Sequence, residues 1–221
     1  MGFHAYTCCK CKGERNERHQ YIKIAVWNMI SSFLPQVLKS NEPYLAPTFA
    51  TVPPPDNDPE SLHIPQRADL SVKDLNDHFF NYYVDYTIAH PGSTAIRSKY
   101  HQSGYAAEKI SRDKWKKYSS YYSLHDASDL PKMVMFGTET FGSFAKEGKD
   151  FLKSCARLSV LNNSFSHYSV VLRHMIQRIS VALQMANFKS LAKLLNINSS
   201  FISSEISTSS NIIFPLVASA I

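Results

Sequence analysis

The stretch Asn81-Tyr-Tyr-Val-Asp-Tyr-Thr-Ile-Ala-His90 (NYYVDYTIAH, residues 81–90) predicts a buried β-strand with one charge inside it. Aromatic and β-branched residues fit the pleated surface of a sheet, and Pro91-Gly92 ends the run. Asp85 lies in the middle of this apolar stretch. Because an ionised carboxylate is costly to bury unless it is paired or binds a metal ion, the strand predicts a partner for Asp85.

The segments around this strand predict an α/β domain. Residues 67–72 form a second candidate strand, and the turn-rich KDLND sequence between the two strands predicts a β-hairpin. The short apolar run KMVMF, residues 132–136, predicts a further strand. Helical patterns cover residues 18–34, 105–123, 144–161 and 168–195. The predicted order is therefore α, β, β, α, β, α, α.

Composition limits the classes of protein to consider. The chain has 221 residues, 44% of them apolar, which is enough to bury a core. Its formal net charge of +6 favours a polyanionic partner such as nucleic acid. No run of about 18 apolar residues occurs, so we expect no transmembrane helix. The N-terminal sequence MGFHAYTCCKCKG lacks the apolar core of a signal peptide, which predicts an intracellular protein.

A possible reactive centre lies at the hairpin and on the following helix. If the two strands pair, Asp69 and Asp85 converge at one end of the sheet, and a helix packed across it brings Lys114 and Lys117 to the same point. Two carboxylates and a lysine suit metal-assisted hydrolysis of a phosphodiester. Taken singly, these residues have ordinary alternatives: a solvent-facing hairpin acid and a solvated helix face.

The order of these motifs resembles a known family, the restriction-like endonuclease region at the C-terminus of non-LTR retrotransposon polyproteins. Its pattern is (Arg/Lys)-Pro-Asp, then an Asp in a strand such as Asp-Val-Thr-Val, then Lys-x-x-Lys-Tyr on a helix. The matching segments here are Arg67-Ala68-Asp69, Asp85-Tyr86-Thr87-Ile88 and Lys114-Trp115-Lys116-Lys117-Tyr118. Ala68 stands where the family has proline. The resemblance covers roughly residues 4–195 and extends to Arg18-His19, Glu42-Pro43, Ala106-Ala107-Glu108, Glu139-Thr140-Phe141-Gly142 and the helical segment 177–184.

The resemblance implies a PD-(D/E)xK fold: α/β, with a restriction-endonuclease-like small mixed sheet flanked by helices and a C-terminal helical pair. Asp69 and Asp85 would hold Mg²⁺ or Mn²⁺, and Lys114 or Lys117 would replace the usual lysine, whose position here is Thr87. Glu42 is a candidate fourth catalytic member, or else a helix-end or loop carboxylate. Candidate contacts to double-stranded DNA, some of which could serve only solubility, are Arg18, His19, Arg67, Arg97, Lys99, Arg112, Lys116 and Tyr118.

A zinc site is the second implication. The family carries a Cys-Cys-His-Cys site just upstream, and His4, Cys8 and Cys9 match its closing half. A structural zinc ion needs four ligands, so these residues predict an incomplete site in a chain that is a fragment of a longer polyprotein. The predicted organisation is a truncated zinc-binding-like segment over residues 1–17, a nuclease domain over 18–195 and a divergent or disordered tail over 196–221.

Three functions compete at this point. The first is a metal-dependent endonuclease that nicks DNA to prime reverse transcription, acting in the nucleus beside a reverse transcriptase and its element RNA. The second is a catalytically inactive DNA-binding remnant of the same domain. The third is a helical interaction module, built on residues 144–195, with no role in nucleic-acid binding.

Overall fold

The sheet is built around β3 (Asn81–Ala89), the predicted strand that contains Asp85. A computed structural model describes residues 12–43, 45, 67–77, 79–92, 99, 101–122, 130–162 and 167–195. In it β3 pairs antiparallel with β2 (Leu70–Lys73), which confirms the hairpin, and parallel with β4 (Lys132–Glu139). β1 (Leu38–Asn41) pairs antiparallel with β2, so the strand order is β1-β2-β3-β4.

The described residues form four helices, which complete the mixed α/β fold: α1 (Lys12–Phe33), α2 (Tyr105–Tyr122), α3 (Lys146–Leu161) and α4 (Tyr168–Leu194). A parallel strand pair needs a crossover connection, and α2 lies in the crossover from β3 to β4. The α/β class, the small mixed sheet and the C-terminal helical pair are confirmed. None of the helices in the described part of the chain combines the length and apolar content that a membrane span requires.

The two faces of the sheet bury different kinds of side chain, because successive residues of a strand point to opposite faces. On β3, Tyr82, Val84 and Tyr86 point toward α1, α3 and α4 and join the main core. Tyr83 and Asp85 point the other way, toward α2. That second face holds a smaller apolar cluster, made of Leu45, Ala68, Tyr118, Met133 and Met135 with Tyr83, Trp115 and Leu130 against it.

Helix α2 lies very close to β4 at Gly137. A Cβ atom placed on Gly137 would lie 2.1 Å from Ser111 Oγ and 2.7 Å from the Ala107 carbonyl oxygen, closer than any real contact. Ala107 and Ser111 are themselves small and lie one turn apart on the buried side of α2. The absence of a side chain at Gly137 therefore sets the depth at which α2 docks on the sheet.

Some boundaries differ from the sequence prediction. The predictions missed β1, whose residues are mostly exposed and polar and so give no apolar alternation. Helix α1 begins at Lys12, six residues before its predicted start, and β4 continues through Gly137 to Glu139. The predicted tail, residues 196–221, and the first eleven residues of the predicted zinc-binding segment lie outside the described residues.

Candidate active site

Asp85 meets two partners, both supplied by α2. Its side chain is 5% exposed. The Lys114 amine donates a hydrogen bond to Oδ1 at 2.7 Å, and the Tyr118 hydroxyl donates one to Oδ2 at 2.6 Å. These charge-assisted bonds offset part of the cost of removing the carboxylate from water. Asp85, the one charge in the apolar strand, is thus the centre of a polar cluster between β3 and α2.

The spacing of residues along α2 explains how both partners reach Asp85. Ala107, Ser111, Lys114 and Tyr118 follow one another at intervals of four, three and four, so they share one face of the helix. The two small residues pack against Gly137, and the two long residues beyond them extend to Asp85. Lys114 also donates to the Tyr86 carbonyl oxygen at 2.7 Å, which fixes its amine beside the backbone of β3.

Asp69 lies one residue before β2 and supports the same strand. Its backbone N–H bonds the Val84 carbonyl at 3.0 Å, whereas its carboxylate Oδ2 accepts the backbone N–H of Tyr86 at 2.7 Å. The side-chain oxygen thereby accepts the N–H that a backbone carbonyl would accept if the two strands stayed paired at this point. From the other side, His19 Nε2 of α1 lies 3.0 Å from the same oxygen. Asp69 is therefore held between β3 and α1.

The carboxyl groups of Asp69 and Asp85 interact, and each shifts the pKa of the other. Burial raises the pKa of Asp85 to about 6, and the neighbouring Asp69 adds to this rise against the opposing charge of Lys114. Burial also acts to raise the pKa of Asp69, but hydrogen bonds from His19 and Asp85 outweigh it and hold that pKa well below its usual range. Asp85 is thus the member of the pair that carries a proton more readily.

Glu42 borders the pair at the end of β1. Its backbone N–H donates to the Asp69 carbonyl at 3.1 Å, and its φ of 49° places a non-glycine residue in the left-handed region. Lys23 of α1 donates to Glu42 Oε1 at 2.7 Å, and this bond and charge lower the pKa of Glu42. Arg67 Nη1 lies 4.0 Å from Oε2. The predicted acid is therefore next to the site, where it forms ion pairs.

Sequence reasoning did not select Lys23 as a site residue. Its side chain is 8% exposed, and it lies four residues after His19 on α1. That interval places the two side chains on one helix face, where Lys23 contacts Glu42 and His19 contacts Asp69. The i, i+4 pair of basic residues was the available signal, but only the paired strands reveal the acids that it meets.

Two of the predicted DNA contacts are buried. Arg18 is 5% exposed. The pKa of His90 is lowered by the burial of His90 itself and by the nearby charge of Arg18. Tyr118 is 2% exposed and bonds Asp85. Neither side chain is placed to reach a DNA backbone, so the structure favours an internal role for both. His19 is partly exposed but contacts Asp69, which also gives it a supporting position.

The remaining predicted contacts divide into exposed and undescribed residues. Lys116 is 77% exposed and pairs with Asp113 at 3.1 Å, and Arg112 is exposed one turn before it on α2. Lys99 is exposed, with its amine 5.1 Å from the centre of the Tyr105 ring, and Arg67 is half-exposed. The side chain of Lys117 and all of His4, Cys8, Cys9 and Arg97 lie outside the described part of the structure.

The donor atoms at the pair are hard oxygens. Among the described residues, no three or more His, Cys, Asp and Glu side chains are grouped as a metal cage. Mg²⁺ does not need such a cage, because it usually takes one or two carboxylates and keeps several waters. The arrangement thus offers two carboxylates with a lysine amine beside them.

Comparison of the chain with models of protein families, with curated proteins and with solved structures finds no match.

Proposed function

We propose that the protein is a divalent-metal-dependent DNA endonuclease that nicks one strand. The observation that supports this function is the buried Asp85 carboxylate, which lies beside Asp69 and accepts a 2.7 Å hydrogen bond from the Lys114 amine. Metal-assisted hydrolysis of a phosphodiester needs oxygen ligands for the ion and positive charge where the transition state becomes more negative. These three residues supply both.

The residues present fit a magnesium or manganese ion held by Asp69 and Asp85. The proximity of Asp69 contributes to the raised pKa of Asp85, and a cation relieves such crowding of negative charge. The Tyr86 carbonyl, which shares the Lys114 amine with Asp85, is a further hard oxygen nearby. When bound, the ion polarises the phosphate and lowers the pKa of a water ligand.

The protein's own side chains have separable roles in this proposal. Lys114 places a positive charge at the scissile phosphate, and Tyr118 orients the Asp85 carboxylate through its 2.6 Å hydrogen bond. His19 orients Asp69 in the same way from α1. The exposed Arg112, Lys116 and Lys99 contact the DNA backbone without reading its sequence. A nuclear site of action and a partnership with reverse transcriptase and its RNA belong to this proposal, on the basis of the family resemblance.

One observation favours a second function, that of a catalytically inactive DNA-binding domain. Both oxygens of Asp85 already accept hydrogen bonds inside the protein, from Lys114 and from Tyr118. A carboxylate oxygen has a second lone pair, so these bonds leave room for an ion. The same bonds would nonetheless stabilise a closed ion pair in a protein that has lost its metal.

Plasmid nicking separates these functions. The full chain is incubated with supercoiled plasmid in Mg²⁺, in Mn²⁺ or in EDTA, and the same assay is run on Asp85→Asn and Lys114→Met. The matched control is Asp77→Asn in the β2–β3 turn, because Asn preserves the side-chain bond that Asp77 makes to the Phe79 N–H. We expect metal-dependent nicking by the wild type and by the control, and a loss of at least about 100-fold in both site variants.

Each alternative result assigns the protein to another function. Equal nicking by Asp85→Asn would overturn the proposed site. Salt-sensitive DNA binding without nicking in either metal would identify the inactive DNA-binding domain. An absence of DNA binding at low salt would exclude both and favour the helical interaction module of residues 144–195.

A further inference from the structure

A small apolar cleft lies on the opposite side of the sheet from Asp85. It has a volume of about 240 Å³ and lies between the turn after β4, α3 and α4. Phe144, Leu172 and Ile176 form its apolar walls, and Lys149 and Lys153 stand at its edge. Small-molecule sites typically have about 300–1,000 Å³, so this cleft has room for a single ring-sized group.

The helix beside the cleft presents a basic face. Lys146, Lys149, Lys153 and Arg157 follow one another at intervals of three, four and four, which places them on one side of α3 over a length of about 16 Å. Arg157 lies over the Tyr168 ring, with 5.9 Å between the guanidinium carbon and the ring centre. A row of cations beside an apolar cleft suits a ligand that carries both phosphates and rings.

The acids on the same helix do not neutralise this face. Glu147 accepts the Met135 N–H at 3.1 Å and so bonds the edge of the sheet. Asp150 pairs with Lys153 at 2.8 Å, but both side chains are nearly half exposed, and an ion pair of this kind is weak. The bond from Lys153 and the charges of Lys146 and Lys132 lower the pKa of Asp150, which is consistent with a positive potential along the helix.

We propose that this cleft and the basic face of α3 bind single-stranded nucleic acid, with one base in the cleft and the adjoining phosphates on Lys149 and Lys153. A single strand is favoured over a duplex because only an unpaired base exposes its apolar faces for insertion. Lys146 and Arg157 extend the phosphate track in the two directions along the helix. The site is independent of the proposed nuclease centre, since α2 and α3 pack on opposite faces of the sheet.

Fluorescence anisotropy in EDTA tests this site without relying on catalysis. The full-length Asp85→Asn protein is titrated against a labelled oligothymidylate of about 15 nucleotides. Lys149→Gln/Lys153→Gln is expected to bind at least about tenfold more weakly, with a salt slope reduced by about 1.4 for two lost phosphate contacts. Lys73→Gln/Lys193→Gln removes the same charge from exposed positions outside the cleft and is expected to retain most of the affinity.

A second variant tests the cleft itself. Ile176→Trp fills the cleft from its half-buried wall without a change in charge, and we expect it to weaken oligothymidylate binding while a duplex of equal length binds as before. Circular dichroism confirms that each variant is folded. Unchanged binding by the double lysine variant would overturn the proposal. Equal losses for single strand and duplex, or full competition by polyglutamate, would also overturn it, because each identifies a general polyanion surface.

Discussion

The two faces of the sheet bury opposite kinds of chemistry. The face toward α1, α3 and α4 is dominated by apolar and aromatic side chains, with Tyr86 and Phe136 fully buried. The face toward α2 buries a carboxylate and a phenol, with a partly exposed lysine amine, next to a much smaller apolar cluster. The large core therefore supplies stability that offsets the cost of the charged cluster, and the two faces are expected to respond differently to substitution.

The largest expected effect breaks the apolar face. Phe136→Ala removes a ring that packs edge-to-face against Tyr86, Phe144 and Phe151. We expect the free energy of unfolding to fall by about 3–5 kcal/mol, because the lost burial is accompanied by a cavity. Urea denaturation measures this loss. The matched control is Phe79→Ala, a ring that is 94% exposed, where a change above about 0.5 kcal/mol would contradict the argument.

An intermediate effect is expected where α2 meets the charged face. Gly137→Ala forces a methyl group into Ser111 Oγ and the Ala107 carbonyl, so α2 must move away from β4. We expect a loss of about 1–3 kcal/mol in thermal unfolding, together with reduced plasmid nicking because Lys114 withdraws from Asp85. Adding Ser111→Ala removes the shorter contact but leaves the backbone contact, so it should restore only part of the stability. Wild-type stability and nicking in Gly137→Ala alone would show that the helix depth is not set at this position.

The smallest expected effect has the opposite sign and sharpens the contrast between the faces. Asp85→Asn is expected to stabilise the metal-free protein by about 1–2 kcal/mol at about pH 7.5. Burial raises the pKa of Asp85 from 3.8 to about 6, so the folded state favours the protonated form. The stability that the protonated Asp85 contributes is fully present below about pH 4 and is lost as the pH rises through about 6.

Urea denaturation in EDTA across this range of pH is the corresponding measurement. Since Asn does not titrate, the stability difference between Asp85→Asn and the wild type should grow as the pH rises from about 4 to about 7. Asp77→Asn in the β2–β3 turn, which retains the side-chain bond to the Phe79 N–H, is the matched variant for this comparison. A destabilised Asp85→Asn protein near neutral pH would mean that the ion pair with Lys114 contributes more than the burial of Asp85 costs.

Much of the local structure was predictable because each element carries its own signal. The β-branched and aromatic run of β3 and the turn after β2 predicted the hairpin, and helical spacing predicted the four helices of the described residues. β1 was not predictable, because LKSN is polar and its strand state depends on pairing with β2. The parallel pairing of β3 with β4 also depends on how α2 crosses the sheet, which local sequence does not encode.

The candidate site was predictable in its members but not in its contacts. Sequence spacing grouped Asp69 and Asp85 with Lys114 or Lys117, and the structure places Asp69, Asp85 and Lys114 in one cluster. The sequence prediction also assigned Tyr118 and His19 to DNA contacts. In the structure Tyr118 bonds Asp85 and His19 contacts Asp69, so both hold the two acids in position. A side chain's partner across the fold depends on the depth and rotation of its helix, and residues such as Gly137 set these through contacts distant in sequence.

The sequence by itself determined the class of fold, the hairpin and the presence of a charge that needed a partner. It did so because propensity, periodicity and the cost of burying a carboxylate are local or general properties. Only the tertiary structure decided which groups meet that charge, since Lys114 and Tyr118 reach Asp85 from a helix about thirty residues away. It also separated the basic face of α3 from the carboxylate pair, because the sheet that lies between them is formed by strands far apart in the chain.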